Sequence, residues 1–292
     1  MGVCMARPSN RETEIKIFED DDDDDKAVDY FNQLPGDCIA NIISFTSPRD
    51  ACRSSLISRA FRSAAESNAV WERFLPPDCY SIISRSPYPP PCPSKKDLYF
   101  SLCDSPLLID DGKKSFSLEK SSGKKCYMIS ARDLLIIWGD TPMYWRWISL
   151  PEARFPEVAE LIDVCWFEIR GKIDVRILSP LTTYAAYLVF KFTKSAHGFE
   201  QLPVETTFGL VGGERSKRNV YLDAKRHHRN GNGTYPKKRK DGWLEVELGD
   251  FYYGGDGQDG ELEMRVLEIW RCHWKRGFIC EGIEIRPRGV IN

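Results

Sequence analysis

The chain of 292 residues lacks the features that mark several large classes of protein. It has no apolar run long enough to span a bilayer, and its first residues lack the apolar centre of a secretion signal. Its 41 basic and 43 acidic side chains nearly cancel, so the net charge of -2 gives no global attraction to nucleic acid or to an anionic membrane. We therefore expect neither nucleic acid nor a membrane among its partners.

Metal-ligand patterns are also missing. The ten cysteines form no Cys-x-x-Cys pair, and the four histidines show no ligand spacing. Single cysteines in apolar company, such as Cys165, favour reduced thiols over a disulfide framework. The sequence therefore predicts no metal, no other cofactor, and a location in the cytoplasm, the nucleus or both.

No sequence motif of a catalytic site is present. The chain has no Gly-x-Ser-x-Gly elbow, no phosphate-binding loop and no His-Glu-x-x-His. A glycan-processing enzyme would need two carboxylates at a defined separation, which the sequence alone leaves open. We expect a non-catalytic protein.

The chain divides by composition into four parts. Residues 1–29 are polar and end in a block of acidic side chains, so they are predicted to form a disordered acidic tail. Residues 30–76 are predicted to be a compact helical module, and 77–125 a proline-containing linker with one short helix. Residues 126–292 contain short runs rich in Val, Ile, Tyr and Phe with turn residues between them, which is typical of β-strands.

These parts together predict the fold class. We expect an α+β multidomain protein in which the small helical module is followed by an all-β antiparallel sandwich of the jelly-roll type. A module of about 45 residues is near the lower size limit for independent stability, so some of its apolar surface needs another partner.

An aromatic segment, residues 131–171, stands out in the predicted β region. It holds four of the eight tryptophans, Trp138, Trp145, Trp147 and Trp166, around a turn at Gly139 to Pro142. Aromatic side chains beside such a turn can line a shallow groove that stacks on sugar rings. The alternative is that all four belong to the core, which we favour for Trp147 and Trp166.

Residues 34–75 resemble an F-box. The resemblance rests on the opening Leu34-Pro35, the paired isoleucines, the turn from Ser47 to Asp50 and the closing Val70-Trp71. It implies docking on the Skp-type adaptor of a cullin–RING ubiquitin ligase through an apolar helical surface. The residues that would contact or shape this surface are Leu34, Pro35, Ile39, Ile43, Pro48 and Trp71. The alternative is a helical bundle that packs only against its own chain.

Residues 126–292 resemble the phloem protein 2 family, whose members include the Nictaba-type plant lectins. The resemblance rests on the segments ARDL, WGD, YWRW, ELIDVCWFEIRGKI and GIEIRP in that order. It implies binding of N-acetylglucosamine oligomers or the chitobiose core of N-glycans, with two stacking tryptophans seven residues apart and late acidic residues that accept hydroxyl hydrogen bonds. The implied carbohydrate-binding residues are Trp138, Trp145, Glu261 and Glu268.

With both resemblances, the chain is similar to plant F-box proteins that carry a phloem protein 2 lectin domain. They imply a substrate-recruiting subunit of a ubiquitin ligase whose β domain binds a glycoprotein. The alternative is the same adaptor role with a β domain that has lost sugar binding and recognises a protein surface directly.

Overall fold

The computed structural model describes residues 34–200, 203–223, 233–255, 257–270 and 273–289. The predicted disordered tail, residues 1–29, lies outside these ranges. Within them, six α-helices come first, and they are α1 (Gly36–Ser44), α2 (Pro48–Ser54), α3 (Arg59–Ala65), α4 (Asn68–Phe74), α5 (Cys79–Ile83) and α6 (Lys95–Asp104). None of these helices has the length and apolar character needed to cross a membrane.

Local sequence signals explain where these helices begin. The Ser47 hydroxyl accepts a hydrogen bond from the Asp50 amide at 3.1 Å, and Pro48 occupies the first position of α2. The buried face of α1 includes only two of its three isoleucines. It contains Ile39 and Ile43, as expected, but Ile42 is 54% exposed because α3 and α4 pack against the other side of the helix.

Trp71 is the centre of the helical module. Its buried indole N–H donates to the Ala65 carbonyl at 2.7 Å, which ties α4 to the end of α3. Its ring contacts Tyr99 and Phe100 of α6, with centroids 5.1 and 5.2 Å away. The segment predicted to be a linker is therefore folded, because α6 supplies one wall of the pocket that holds Trp71.

Fourteen strands are described after the helices. They are β1 (Leu107–Ile109), β2 (Lys114–Leu118), β3 (Lys125–Ser130), β4 (Leu135–Ile136), β5 (Trp145–Ile148), β6 (Val158–Leu161), β7 (Phe167–Asp174), β8 (Thr182–His197), β9 (Val204–Leu210), β10 (Arg215–Val220), β11 (Lys237–Lys238), β12 (Leu244–Tyr253), β13 (Glu261–Glu268) and β14 (Arg276–Pro287).

The strands form two antiparallel sheets. The larger sheet has the order β1-β2-β3-β14-β8-β12-β11, with β6 paired to β14 and β5 paired to β6. The smaller sheet has the order β10-β9-β13-β7-β4. The inner faces meet in one apolar core, where Phe167 of β7 packs edge-on against Phe278 of β14 at 5.2 Å. The predicted fold class, helices followed by an antiparallel β-sandwich, is confirmed.

The helices pack against one end of this sandwich. The Tyr99 hydroxyl lies 3.1 Å from the Lys120 carbonyl in the turn between β2 and β3, and Lys125 forms an ion pair with Asp78 at 2.9 Å. Tyr184, near the start of β8, donates to the Lys125 carbonyl at 3.0 Å. We call this the helical end. The opposite end, where β7 begins and β8 and β13 finish, is called the tryptophan end.

Gly123 allows the turn between β2 and β3 to approach the helices. Its φ is +70°, and a Cβ there would lie 2.7 Å from the Phe74 carbonyl oxygen. Gly212 has a similar φ of +80°, but a Cβ there would meet nothing within 4 Å. Substituting each glycine in turn therefore distinguishes two contributions to stability. Gly212 reports the free-energy cost of the backbone conformation alone, and Gly123 adds the cost of the close approach.

We expect Gly123→Ala to destabilise the protein about twice as much as Gly212→Ala. The second change costs about 1–2 kcal/mol for the left-handed backbone alone, and the first adds a clash at the joint with the helices. Urea unfolding of both variants measures the difference. Equal losses would show that the close approach at Gly123 is not constrained.

Candidate functional site

Trp138 lies two residues beyond β4 at the tryptophan end, in an unusual conformation. Its φ is +58°, which is a rare value for a bulky side chain. Its indole is 43% exposed, and its ring centroid lies 5.1 Å from that of Tyr144. The turn therefore leaves one face of the indole available to a ligand.

The two following tryptophans hold this conformation. The Trp145 indole N–H donates to the Ile137 carbonyl at 3.1 Å, and the Trp147 indole N–H donates to the Gly139 carbonyl at 3.0 Å. These carbonyls belong to the residues on either side of Trp138. A backbone strain of about 1–3 kcal/mol persists only where the surroundings fix it, and the two indoles do so here.

The structure thus places the two predicted stacking tryptophans differently. Trp145 is only 2% exposed and stacks on Phe167 at 6.3 Å, so its ring has no free face for a sugar in this arrangement. Its observed contacts are those of a residue that positions Trp138. Trp147, predicted to be core, is half-buried beneath the Arg132 guanidinium, which lies 3.7 Å from its ring centroid.

The two predicted acidic residues lie at opposite ends of β13. Glu261, the first residue of the strand, is exposed and forms an ion pair with Lys172 at 2.9 Å. Glu268, the last residue, lies at the tryptophan end, about 23 Å away along the strand at ~3.3 Å per residue. The structure brings Glu268, but not Glu261, to the end that carries Trp138.

Glu268 is buried in an ion pair with Lys275. Their side chains are 4% and 1% exposed. The Lys275 ammonium also donates to the carbonyls of Cys165 and His273, at 3.1 and 2.8 Å, so its three donors have three acceptors. In this arrangement Glu268 fixes the loops around it and does not face solvent.

Trp166 is a site candidate that the sequence interpretation assigned to the core. It precedes β7 and is 41% exposed, and its indole N–H donates to Glu168 at 2.9 Å. Glu168 in turn pairs with Arg170. Trp166, Glu168 and Arg170 alternate with apolar residues in the sequence. This alternation was the signal that could have placed Trp166 on the outward face beside β7.

The structure also places the predicted adaptor-binding residues. Leu34 and Pro35 are exposed, whereas Ile39, Ile43, Pro48 and Trp71 are buried and so act on the surface only by shaping it. Other residues than these six supply the exposed apolar side chains of α1 and of the segments that follow α1 and α2. We call this group the apolar set, and its members are Ile42, Phe45, Leu56 and Ile57.

The helical module and the β-sandwich coincide with two sequence patterns, which together define an F-box protein with a phloem protein 2 domain. The sequence pattern described as F-box domain matches residues 31–73, and the pattern described as phloem protein 2 matches residues 124–287. The chain belongs to the phloem protein 2 family, in the group whose members also carry an F-box.

Relatives agree with this assignment along most of the chain. The F-box protein PP2-B10 of Arabidopsis thaliana is 50% identical, over 89% of this chain and 95% of the relative. The putative F-box protein PP2-B12 of the same plant is 51% identical, over 89% of this chain and 99% of the relative. Among solved structures, a family 35 carbohydrate binding module from Clostridium thermocellum shows a weak likeness, with a TM-score of 0.31 and 10% identity over 55% of this chain and 96% of that one.

We expect the two acidic residues of β13 to differ sharply in their effect on stability. Glu268→Gln leaves the Lys275 ammonium buried without its counter-charge, which costs about 3–5 kcal/mol. Glu261→Gln removes an exposed pair and costs less than about 1 kcal/mol. Chemical denaturation of both variants checks this, and a mild Glu268→Gln would mean that the pair is more hydrated than its burial indicates.

Proposed function

We propose that this protein is the substrate-recruiting F-box subunit of a cullin–RING (SCF-type) ubiquitin ligase, and that its β domain binds an N-acetylglucosamine-containing glycan on a target glycoprotein. The observation that carries the proposal is one folded body with two different exposed surfaces at opposite ends. The apolar set lies on the helical module, and the exposed indole of Trp138 lies at the tryptophan end. The role requires binding at both surfaces and no catalytic step by this chain.

The apolar set supports the docking half of the proposal. Leu56 and Ile57 are 78% and 67% exposed. Apolar surface in contact with water is unfavourable in free energy, and a partner surface that covered these side chains would remove that contact. The buried residues of the F-box pattern, such as Ile39 and Trp71, hold the helices that present these side chains. The proposed partner is a Skp-type adaptor, because the F-box pattern implies it.

The geometry of Trp138 supports the glycan half. An indole face gives dispersion contact with the apolar face of a sugar ring, and the neighbouring Tyr144 widens this platform. One exposed platform suits weak binding, in the micromolar range or weaker.

The burial of Trp145 favours a second candidate for the β domain. Because one of the two implied stacking rings is sealed in the core, the domain has fewer of the expected sugar contacts. The alternative is recognition of a protein surface without sugar, within the same adaptor role. A glycan array separates the two, since specific signals support the first and silence across the array supports the second.

We expect Ile42→Asp combined with Leu56→Asp to weaken binding to a Skp-type adaptor by roughly 30-fold or more, the loss typical of an interface hot spot. Titration calorimetry with the purified adaptor measures it. Val211→Asp, at an exposed apolar residue in the turn after β9, is the control and should bind normally.

A third variant separates docking from folding. Ile39→Ala creates a cavity under α1 and should lower the free energy of unfolding by about 2–5 kcal/mol. Unchanged adaptor affinity in the Ile42 and Leu56 double variant, with a normal unfolding curve, would contradict the docking surface proposed here.

We expect Trp138→Gly to abolish glycan binding while it leaves stability within about 1 kcal/mol of the native protein. Glycine relieves the left-handed strain, by about 1–2 kcal/mol, and this offsets the lost ring contact with Tyr144. Calorimetric titration with chitobiose and thermal unfolding give the two quantities.

Trp145→Phe is the companion variant. It keeps a buried ring but removes the hydrogen bond to the Ile137 carbonyl, so it should lower stability by about 1–3 kcal/mol and weaken chitobiose binding. If chitobiose binds equally to both variants and to the native chain, Trp138 is not the sugar platform.

A further inference from the structure

A charged cavity lies on the outer face of the larger sheet and shares no lining residue with the two sites proposed above. In β8, Ala186 and Leu188 belong to the apolar core, so Tyr187 between them faces outward. Tyr187 is in register with Glu284 of β14 on one side and with Glu247 of β12 on the other, so these side chains share the outer face. On this face Tyr187 lines a cavity of about 290 Å³.

Basic side chains outnumber acidic ones in the lining of this cavity. The basic residues are Arg218, Lys237, Arg286 and Arg288, and the acidic residues are Glu245 and Glu247. They come from β10, β11, β12 and β14 and from the residue after β14, so the folding of both sheets brings them together. The excess of positive charge favours an anionic ligand.

Both acidic side chains are already bonded to arginine. Glu245 accepts two hydrogen bonds from the Arg286 guanidinium, at 2.6 and 2.9 Å. Glu247 accepts one from Arg218 at 2.7 Å. Each carboxylate is therefore directed at a guanidinium, which reduces its repulsion of an anion in the cavity.

A buried ion pair holds Arg286 in place behind the cavity. Glu284 accepts hydrogen bonds from Arg286 at 2.7 Å and from Arg239 at 2.6 Å. Burial opposes the ionisation of Glu284, but the guanidinium of Arg239 and its neighbours lower the pKa of this carboxyl to about 2. Glu284 therefore stays charged at neutral pH. The Arg286 guanidinium also lies over the Tyr187 ring, 3.8 Å from its centroid.

Two of the cations keep donors that a ligand can use. The Arg288 guanidinium is 40% exposed and lies 3.2 Å from Asp250 and 3.4 Å from Glu247, with no side-chain hydrogen bond to any residue that the structure describes. Lys237 is exposed on β11 and forms no ion pair within the described part of the chain. An arginine has five N–H donors and a lysine three, so both groups have unused capacity.

We propose that this cavity binds a phosphate monoester on the protein target, a phosphoserine or phosphothreonine side chain, through Lys237, Arg288 and Arg218. Recruitment of the target then depends on its phosphorylation. This inference rests on the proposed substrate-recruiting role and names a feature of the target that the chain recognises.

The chemistry of the lining matches a phosphate monoester better than other anions. Such a group carries about −1.5 to −2 charges at pH 7 and has three strong acceptor oxygens. A sulfate ester carries a single charge, and a carboxylate has only two oxygens. The fork of Arg288 suits two phosphate oxygens at once. The cavity is also larger than a phosphate group, and the half-buried ring of Tyr187 gives an apolar wall for the side chain that carries it.

The test is retention of the full chain on two degenerate peptide libraries that differ only at a fixed central residue, phosphoserine in one and serine in the other. We expect at least about tenfold tighter binding to the phosphorylated library, because charge-assisted hydrogen bonds are the strong ones. The difference should shrink as salt is raised, since exposed charges are screened.

Lys237→Gln combined with Arg288→Gln tests the site directly. We expect at least about a tenfold loss of phosphopeptide affinity with an unchanged unfolding curve, since neither side chain is hydrogen-bonded within the described residues. Lys172→Gln combined with Arg176→Gln is the matched control. It removes one exposed lysine and one exposed arginine outside the cavity and should bind the phosphorylated library normally.

Three outcomes would overturn the inference. The first is equal binding of the two libraries by the native chain, and the second is phosphopeptide binding that survives the change at Lys237 and Arg288. The third is binding of a sulfated heparin disaccharide with binding of neither library, which would assign the cavity to an anionic sugar.

The same preparations separate this inference from the proposed function. Adaptor and chitobiose titrations of the native chain report the apolar set and Trp138, which lie outside the cavity. If both ligands bind and the phosphorylated library does not, the proposed function stands and the inference falls. If the adaptor does not bind, the proposed function falls, whatever the libraries show.

Discussion

A buried indole N–H must find an acceptor, and this requirement fixes much of the molecule. Trp71 bonds the end of α3, Trp145 and Trp147 bond the backbone around Trp138, and Trp243 bonds the Glu152 carbonyl at 3.3 Å. In each case the indole holds a segment of backbone in place. The exposed position of Trp138 therefore depends on how Trp145 and Trp147 satisfy their single donor.

The helices and the sandwich share one apolar core, and this has a geometric result. Side chains of α1, α4 and α6 belong to the same buried cluster as those of β7, β8 and β14. The helical end and the tryptophan end are separated by the length of β7, about 23 Å at ~3.3 Å per residue. Under the proposed function, a target bound at one end is held at a set distance from the ligase components bound at the other.

Much of this architecture could be predicted from the sequence, because its signals are local. The Ser47-Pro48 helix start, the short β-prone runs and the turn after Trp138 all depend on residues within a few positions of each other. The two resemblances then supplied the order of the parts. The prediction of a linker with one short helix at 77–125 did not include the packing of this segment against Trp71, since the contact between Trp71 and α6 joins residues nearly 30 positions apart.

The burial of individual side chains in the candidate site could not be predicted from the sequence. Trp138 and Trp145 are the same residue type on either side of one turn, yet one faces water and the other faces Phe167. The difference comes from a single positive φ and from strand pairing, which residue type does not encode. Glu268 is similar, because its burial depends on an ion pair with Lys275, which lies at the far side of the connection from β13 to β14.

The left-handed backbone at Trp138 has a consequence for the history of this family. A tryptophan is a poor choice for that conformation, and glycine or asparagine would occupy it with less strain. Under the proposed function, selection for glycan binding opposes that replacement once it arises. Lineages that abandon sugar recognition should therefore drift to small residues at this position while Trp145 and Trp147, which the core needs, remain.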